Sequence, residues 1–308
     1  MNRFFSRALT KAGNTLIRLA KPQPRIRDNS RGGSLLHQDL LDRYQVSRSL
    51  LVDADGNVPA RWWLVNDNFG DLLSPWILEQ ISGRKVVLAD RTIPHYVAIG
   101  SIAKHIRPNS VVWGTGSFGT EGEEDICPSA TYAAVRGPLT RSRLQHFGAK
   151  IPAIYGDPAL LTPAFYFPRV EITHEVGMVT RWSERNRQAA EFGPGVAHIT
   201  LDTTDIEGTL RQILACKRIV TSSLHGLIIA DAYGIPSAWI SSGTPRGGEF
   251  KFYDYFATVN KFRKVQHFSF TSAPVTVKRV LAKLCFDGRP IQFNFKALLD
   301  TCPLLERK

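Results

Sequence analysis

Arg218-Ile219-Val220-Thr221-Ser222-Ser223-Leu224-His225-Gly226-Leu227-Ile228-Ile229-Ala230-Asp231 is the stretch that decides the fold class. A short apolar run, 218–221, stops at two serines, and a longer apolar run, 225–233, comes next. The first has the length of a buried strand and the second that of a buried helix. The unit recurs outward in both directions. Upstream, strands are expected at 61–65, 85–88, 97–100, 110–114, 131–135 and 153–155, with helices at 72–82 and 138–147. Downstream of Pro168, strands are expected at 176–181, 197–201, 218–221 and 237–240, with helices at 205–216, 225–233 and 274–284. Strands with so few polar residues, alternating with helices, belong to parallel sheets covered on both faces. The sequence therefore predicts an α/β chain of two Rossmann-like domains facing a cleft. Residues 61–168 and 169–271 form the halves, a linker covers 32–60, and a helical segment covers 272–308.

The chain has 308 residues, of which 43% are hydrophobic and 21% charged, which excludes a disordered or fibrous class. No apolar run reaches the roughly 18 residues that would cross a bilayer. Cys127, Cys216, Cys285 and Cys302 are far apart and form no CxxC, so neither a disulfide framework nor a zinc site is expected, and a reducing compartment follows. The net charge is +12, and it is uneven. Residues 1–31 hold Arg3, Arg7, Lys11, Arg18, Lys21, Arg25, Arg27 and Arg31 against Asp28 alone. On a helical wheel Phe4, Phe5, Leu9, Leu16 and Leu19 gather opposite Arg3, Arg7, Lys11, Arg18 and Lys21. Such a basic amphipathic arm suits an anionic membrane surface, reached through residues 1–27. The same charge carries no nucleic-acid motif, so nucleic acid is not an expected partner.

Ligands in open α/β sheets bind beyond the carboxyl ends of strands, and five motifs stand at such places. Asn66-Asp67-Asn68-Phe69-Gly70-Asp71 precedes a helix; Gly70 allows close backbone approach, and Asp71 is either a helix cap or a base. Trp113-Gly114-Thr115-Gly116-Ser117-Phe118-Gly119 is rich enough in glycine to cradle an anion, yet it is neither a Walker loop nor a full dinucleotide fingerprint. Arg136, before Gly137-Pro138, has the planar fork that suits carboxylate or phosphate, with an internal ion pair as the alternative. Asp157, before Pro158, is a base or a cap. Ser222, Ser223, Leu224 and His225 put hydroxyls and an imidazole where helix N–H groups attract anions. The loop after the next strand adds Thr244, Arg246 and Lys251.

Taken in order, Asn68-Phe69-Gly70-Asp71, Gly114-Thr115-Gly116, Val135-Arg136-Gly137-Pro138, Gly156-Asp157-Pro158-Ala159 and Ser222-Ser223-Leu224-His225-Gly226 resemble the polysaccharide pyruvyl transferase family, in its bacterial exopolysaccharide branch. The resemblance covers about 61–255. It implies a fold like the two-domain GT-B glycosyltransferases, with the first half on the acceptor side and the second on the donor side. It also implies transfer of the enolpyruvyl group of phosphoenolpyruvate onto two hydroxyls of one sugar, giving a pyruvate ketal and phosphate. No metal or cofactor is then needed beyond phosphoenolpyruvate as co-substrate. The family's donor-site arginine carries over to Arg136 and its Leu-His element to Leu224-His225. Many members have Arg where this chain has Ser223, and Arg246 or Lys251 is the candidate replacement.

On this reading His225 is the acid that protonates the donor's methylene carbon, and Asp71 or Asp157 takes the hydroxyl proton. Arg136, Ser222, Ser223, Leu224, Arg246 and Lys251 hold the donor. Asn68, Gly70, Gly114, Gly116 and Ser117 form the acceptor side and its loop, and Trp62, Trp63 and Phe118 are candidates for stacking on a sugar. A lipid-linked oligosaccharide acceptor would give the basic arm its purpose, with the chain cytoplasmic and peripheral on the inner membrane. Two other readings compete, since fold does not fix function: a GT-B glycosyltransferase using a sugar nucleotide, and a non-catalytic membrane-surface protein.

Overall fold

Val58 to Ala134 builds the first of two parallel sheets. The structure is a computed structural model that describes residues 25–27, 39–184, 191–241 and 248–308. Most of the expected basic arm and Arg246 lie outside them. Two short strands come first, β1 (Ile26–Arg27) and β2 (Tyr44–Val46). The five-stranded sheet then runs β4-β3-β5-β6-β7, from β3 (Val58–Arg61), β4 (Val86–Leu88), β5 (His95–Val97), β6 (Ser110–Trp113) and β7 (Thr131–Ala134), all parallel. Helix α1 (Phe69–Ser82) follows β3, and α2 (Pro138–His146) follows β7. A short α3 (Thr162–Phe165) and β8 (Val170–Glu171) lead to the second sheet.

That sheet has four parallel strands in the order β10-β9-β11-β12: β9 (Val176–Thr180), β10 (Val196–Thr200), β11 (Ile219–Thr221) and β12 (Ser237–Trp239). Every residue of β5, β9, β11 and β12 is buried, as strands covered on both faces must be. Helix α4 (Ile206–Leu214) precedes β11 and α5 (Leu224–Ala232) succeeds it, so the strand, serine pair and helix expected across 218–233 are present. The chain ends in α6 (Phe250–Val259), α7 (Val277–Lys283), α8 (Phe295–Asp300) and β13 (Leu305–Arg307).

Three expected strands differ from the observed ones. The strand expected at 61–65 lies at Val58–Arg61, because Pro59 sits inside it; proline in a central strand is rare enough to hide one. Trp62 to Val65 leave the sheet, and Leu64 and Val65 are 50% and 71% exposed. The strand expected at 97–100 lies at His95–Val97, and that at 153–155 is only a bridge from Tyr155 to Val135.

One hydrophobic core joins the halves: Phe69, Leu73 and Ile77 of α1 share it with Ile199, Leu210, Leu227 and Ile228. The Phe69 N–H donates to the Leu201 carbonyl at 3.0 Å. The C-terminal residues return to the first half, where β13 pairs antiparallel with β2 and Trp113 Nε1 donates to the Leu298 carbonyl at 3.0 Å. Helix α6 also crosses over to pack on α2. At that crossing Arg136 Nε donates to Asp254 Oδ2 at 3.0 Å, with the two side chains 1% and 0% exposed. Thr140 donates to the same carboxylate from its backbone N–H and its hydroxyl, at 2.8 and 2.6 Å. No helix among the described residues is long and apolar enough to cross a membrane.

Removing one partner of a buried ion pair strands the other charge, which costs about 3–5 kcal/mol. Asp254→Ala is therefore expected to lower the stability read from urea unfolding by that amount. A loss below about 1 kcal/mol would mean that Arg136 does not depend on Asp254 for its charge balance.

Candidate active site

A cavity of about 810 Å³ opens where the two sheets meet. The first half supplies Trp63, Asn68, Asp71, Ser101, Lys104, His105, Phe118, Glu121 and Asp125 to its wall; Arg181, Trp182, Ser183, Ser223, Leu224, His225 and Lys251 complete it. Helices α1 and α5, from different sheets, both begin on it. Asn68 caps α1 by accepting from Gly70 N–H at 3.3 Å, and Ser223 caps α5 by accepting from Gly226 N–H at 3.4 Å. Their first-turn N–H groups and positive dipole ends favour negative charge in the space between.

The starts of the two helices touch through His225 and Gly70. A Cβ at residue 70 would lie 2.0 Å from His225 Nδ1, so only glycine leaves room for the imidazole. The other ring nitrogen, Nε2, faces Asp157 Oδ2 at 3.9 Å. Both atoms are buried, and neither has a hydrogen-bond partner among the described residues. Asp157 Oδ1 accepts from the Ala159 N–H at 3.0 Å, so the cap role and the orientation towards His225 coexist. Burial raises Asp157 to about 6. Burial, with Lys251 and Arg136 nearby, lowers His225 to about 3, so its ring is neutral near pH 7. The Asp157 charge favours the tautomer with its proton on Nε2, which leaves a lone pair on Nδ1.

Lys251 lies in the first turn of α6, its Nζ 5.6 Å from the Phe118 ring centre and 5.5 Å from that of Phe252. Among the described residues no carboxylate forms an ion pair with it. Burial lowers its pKa to about 7, helped by the Arg181 and Arg136 charges and opposed by Asp71. Asp71 accepts from Asn68 Nδ2 at 2.6 Å, and burial raises it to about 6.

The glycine-rich loop serves a different purpose from an anion cradle. It wraps Arg136: a Cβ at Gly116 would lie 2.1 Å from the guanidinium carbon. Arg136 Nη1 donates to Ser101 Oγ at 2.7 Å and Nη2 to the Ser117 carbonyl at 2.8 Å. The alternative of an internal ion pair is thus the observed one, and the guanidinium lies under the cavity instead of on its wall. Ser117 Oγ donates to Glu121, and Gly114 turns at φ +98 against Pro158, a conformation that suits glycine. Ser222 is buried and donates to Glu184 Oε2 at 2.7 Å.

Of the residues singled out from sequence, Asn68, Asp71, Ser223, Leu224, His225 and Lys251 share the cavity wall, with Trp63 and Phe118. Gly70, Asp157 and Arg136 stand directly behind it, whereas Gly114, Gly116, Ser117 and Ser222 serve the supporting loops. Trp62 does not line it. Sequence reasoning missed Ser101, Lys104, His105 and Arg181 to Ser183. Arg181 to Ser183 stand immediately beyond the carboxyl end of β9, the rule that found the other motifs, but no glycine or serine pair flags them.

Comparison with known proteins identifies the family. The profile of the family described as polysaccharide pyruvyl transferase matches residues 68–244, which takes in both helix starts and stops short of Lys251. "Uncharacterized protein L143" of Acanthamoeba polyphaga mimivirus is 33% identical over 203 residues, covering 62% of this chain and 70% of that one. "Succinoglycan biosynthesis protein ExoV" of Rhizobium meliloti is 25% identical over 214 residues, covering 65% of this chain and 64% of its own length. A crystal structure of an uncharacterized Klebsiella pneumoniae protein covers 77% of this chain and 96% of its own, at 10% identity and a TM-score of 0.42.

The buried Asp157 gives a test of the geometry that needs no substrate. Unfolded, its carboxyl ionises near the ordinary 3.8, and folded it does so at about 6. Between those values folding takes up a proton, so this group's contribution falls as pH rises and its full cost is present above 6. Asp157→Asn keeps the oxygen that caps Ala159 and removes the charge. It is expected to gain on wild type between pH 4 and 6 and then hold a constant advantage of about 2–3 kcal/mol. Chemical denaturation across that range reads the difference, and parallel curves would refute it.

Proposed function

Since the chain belongs to the polysaccharide pyruvyl transferase family, we propose that it moves the enolpyruvyl group of phosphoenolpyruvate onto two hydroxyls of one sugar in an exopolysaccharide repeat, forming a pyruvate ketal and releasing phosphate. The observation that carries this beyond the family is Lys251: a half-buried ammonium, with no carboxylate ion pair among the described residues, on a cavity wall that two helix N-termini also face. Such a site suits a small, multiply charged anion such as phosphoenolpyruvate. On this reading the parallel sheets are two Rossmann-like halves in a GT-B-like arrangement, the second half holding the donor. Lys251 then fills the place that Ser223 leaves without a cation.

The electrostatics divide the proton work. A neutral His225 with a lone pair on Nδ1 starts as a base, so it takes the proton of the attacking sugar hydroxyl, and Asp157 holds its ring. Asp71, raised to about 6, is the acid that can protonate the donor's methylene carbon. This reading exchanges the roles expected from sequence, on the ground that burial pushes the carboxyl up and the imidazole down. The first step forms a C–H bond at the methylene carbon and a C–O bond between the adjacent carbon and the sugar. In the second, the other hydroxyl attacks that carbon and gives its proton to Asp71, ionised by the first step, while the C–O bond to phosphate breaks and the phosphate leaves with the bonding pair and the proton held on His225. Arg136 acts by holding the site and not by touching the donor. The acceptor is proposed to be a lipid-linked oligosaccharide, met at the cytoplasmic face of the inner membrane, with residues 1–27 drawing the chain to the anionic surface.

Phosphate release from phosphoenolpyruvate, with and without a panel of galactosides, glucosides and mannosides, tests the reading. Release should depend on an acceptor, and His225→Ala should lower it by about 10²-fold or more. Donor binding by calorimetry should weaken as pH rises through about 7, where Lys251 of the free protein loses its proton. Lys251→Met should bind at least about tenfold more weakly, with a flat profile. A protein that does not bind phosphoenolpyruvate would sink the reading and favour a sugar-nucleotide donor on the same fold.

A further inference from the structure

Beside the cavity, sharing Trp63, Lys104 and His105 with its wall, lies a cationic surface whose other residues the transfer reaction does not use. Arg61 ends β3, and Trp62, Trp63, Leu64 and Val65 continue from it off the sheet. Trp63 lines the cavity and meets His105 edge to face at 5.7 Å, which ties this loop to the 103–107 segment. Four cations gather there: Arg61, Arg91, Lys104 and Arg107. None of them is in an ion pair among the described residues. Arg61 Nη1 donates to the Ala89 carbonyl at 2.6 Å, and Arg107 Nη1 to the carbonyls of Lys104 and Ile106 at 3.0 and 2.7 Å, so their charge is hydrogen-bonded but not neutralised. All four act on His105 and depress it, in addition to its burial. Asp90 lies near enough for Arg61 and Arg91 to act on it in return. Around these cations Leu64, Val65 and Ile93 are 50%, 71% and 40% exposed.

We propose that this face, from Arg61–Val65 across Arg91–Ile93 to Lys104–Arg107, docks on an anionic lipid bilayer. Like charges held together without partners favour a surface of opposite charge. Exposed aliphatic side chains among them suit the boundary between headgroups and acyl chains. The most exposed apolar side chains among the cations, Leu64, Val65 and Ile93, are aliphatic and favour acyl chains over the stacked bases of a nucleic acid. Because Trp63, Lys104 and His105 belong both to this face and to the cavity wall, docking in this way would hold the cavity beside the membrane. That last consequence rests on the proposed transfer reaction, because a lipid-linked sugar could then reach the site without leaving the bilayer.

The test uses the full chain, sedimented with vesicles of phosphatidylcholine alone or mixed with phosphatidylglycerol. Arg91→Glu and the double substitution Leu64→Ser with Val65→Ser are at exposed positions outside the cavity wall. Each should weaken binding to the anionic vesicles by at least about fivefold. Hydrogen exchange should slow at 61–65 and 91–107 on the bound protein and nowhere on phosphatidylcholine alone. Wild-type binding by both variants, or no protection at those segments, overturns the proposal, and that result is expected if residues 1–24 alone carry the affinity. Phosphate release with a soluble acceptor should be unchanged in both variants. A chain that releases no phosphate yet docks through this face would overturn the transfer reaction and leave the docking standing.

Discussion

The pair between Arg136 and Asp254 is the constraint on which the site depends. Arg136 comes from the carboxyl end of the first sheet and Asp254 from helix α6, which the chain makes only after completing the second sheet. Their bond brings that late helix back onto α2. Lys251 precedes Asp254 by three residues, so the two lie one above the other on the same helix face. Fixing the carboxylate under the cavity fixes the ammonium in its wall. The glycine loop 114–119 is shaped by the same need, since Gly116 gives way to the guanidinium. A salt bridge so well buried is poor evidence of stability in itself. Its value here is positional, and that is why an arginine absent from the cavity wall matters to the cavity.

The second constraint is steric. His225 begins a helix of the second sheet and lies against Gly70, in the first turn of a helix of the first sheet. Any side chain at 70 would push the two helix starts apart, and with them the two sets of N–H groups that make the space between them attractive to anions. Asp157, behind the ring, would be a liability in an ordinary core, since its Oδ2 has no hydrogen-bond partner among the described residues. Opposite Nε2 it selects a tautomer. A group that weakens the fold and orders a functional side chain is the usual compromise at a site.

Much of this was legible in the sequence because strands announce themselves by apolar runs, and the ligand rule for parallel sheets then points to the residues just beyond each strand's carboxyl end. Asn68, Asp71, Ser223, Leu224 and His225 were found in that way, and all line one cavity. The missed parts have physical reasons. Helix α6 reads Phe250-Lys251-Phe252-Tyr253-Asp254-Tyr255-Phe256, an aromatic run of low helix propensity that is helical because Phe252, Tyr255 and Phe256 are buried against the rest of the protein. The pairing of β13 with β2 joins the two ends of the described chain, and no local pattern reports so distant a partner. Arg136 was correctly placed at a strand end, but its partner lies 118 residues away, so sequence alone could not tell a ligand-binding fork from an internal one.

Burial has left Asp71, Asp157, Lys251 and His225 closer to neutral than they would be in water: the two acids are raised, the lysine and the histidine lowered. A multiply charged anion entering this space reverses the tendency for the cations and deepens it for the acids. Lys251 is drawn towards the ammonium, His225 becomes a stronger base, and Asp71 holds its proton more firmly. On the proposed reaction, a bound donor would therefore raise the proton affinity of the acid, Asp71, and of the base, His225, at once. An empty site built from fully charged groups could not respond in this way, since the same anion would meet ionised carboxylates and be repelled. The low dielectric that makes these groups costly to keep is thus what would let the proposed charged substrate set their protonation on arrival.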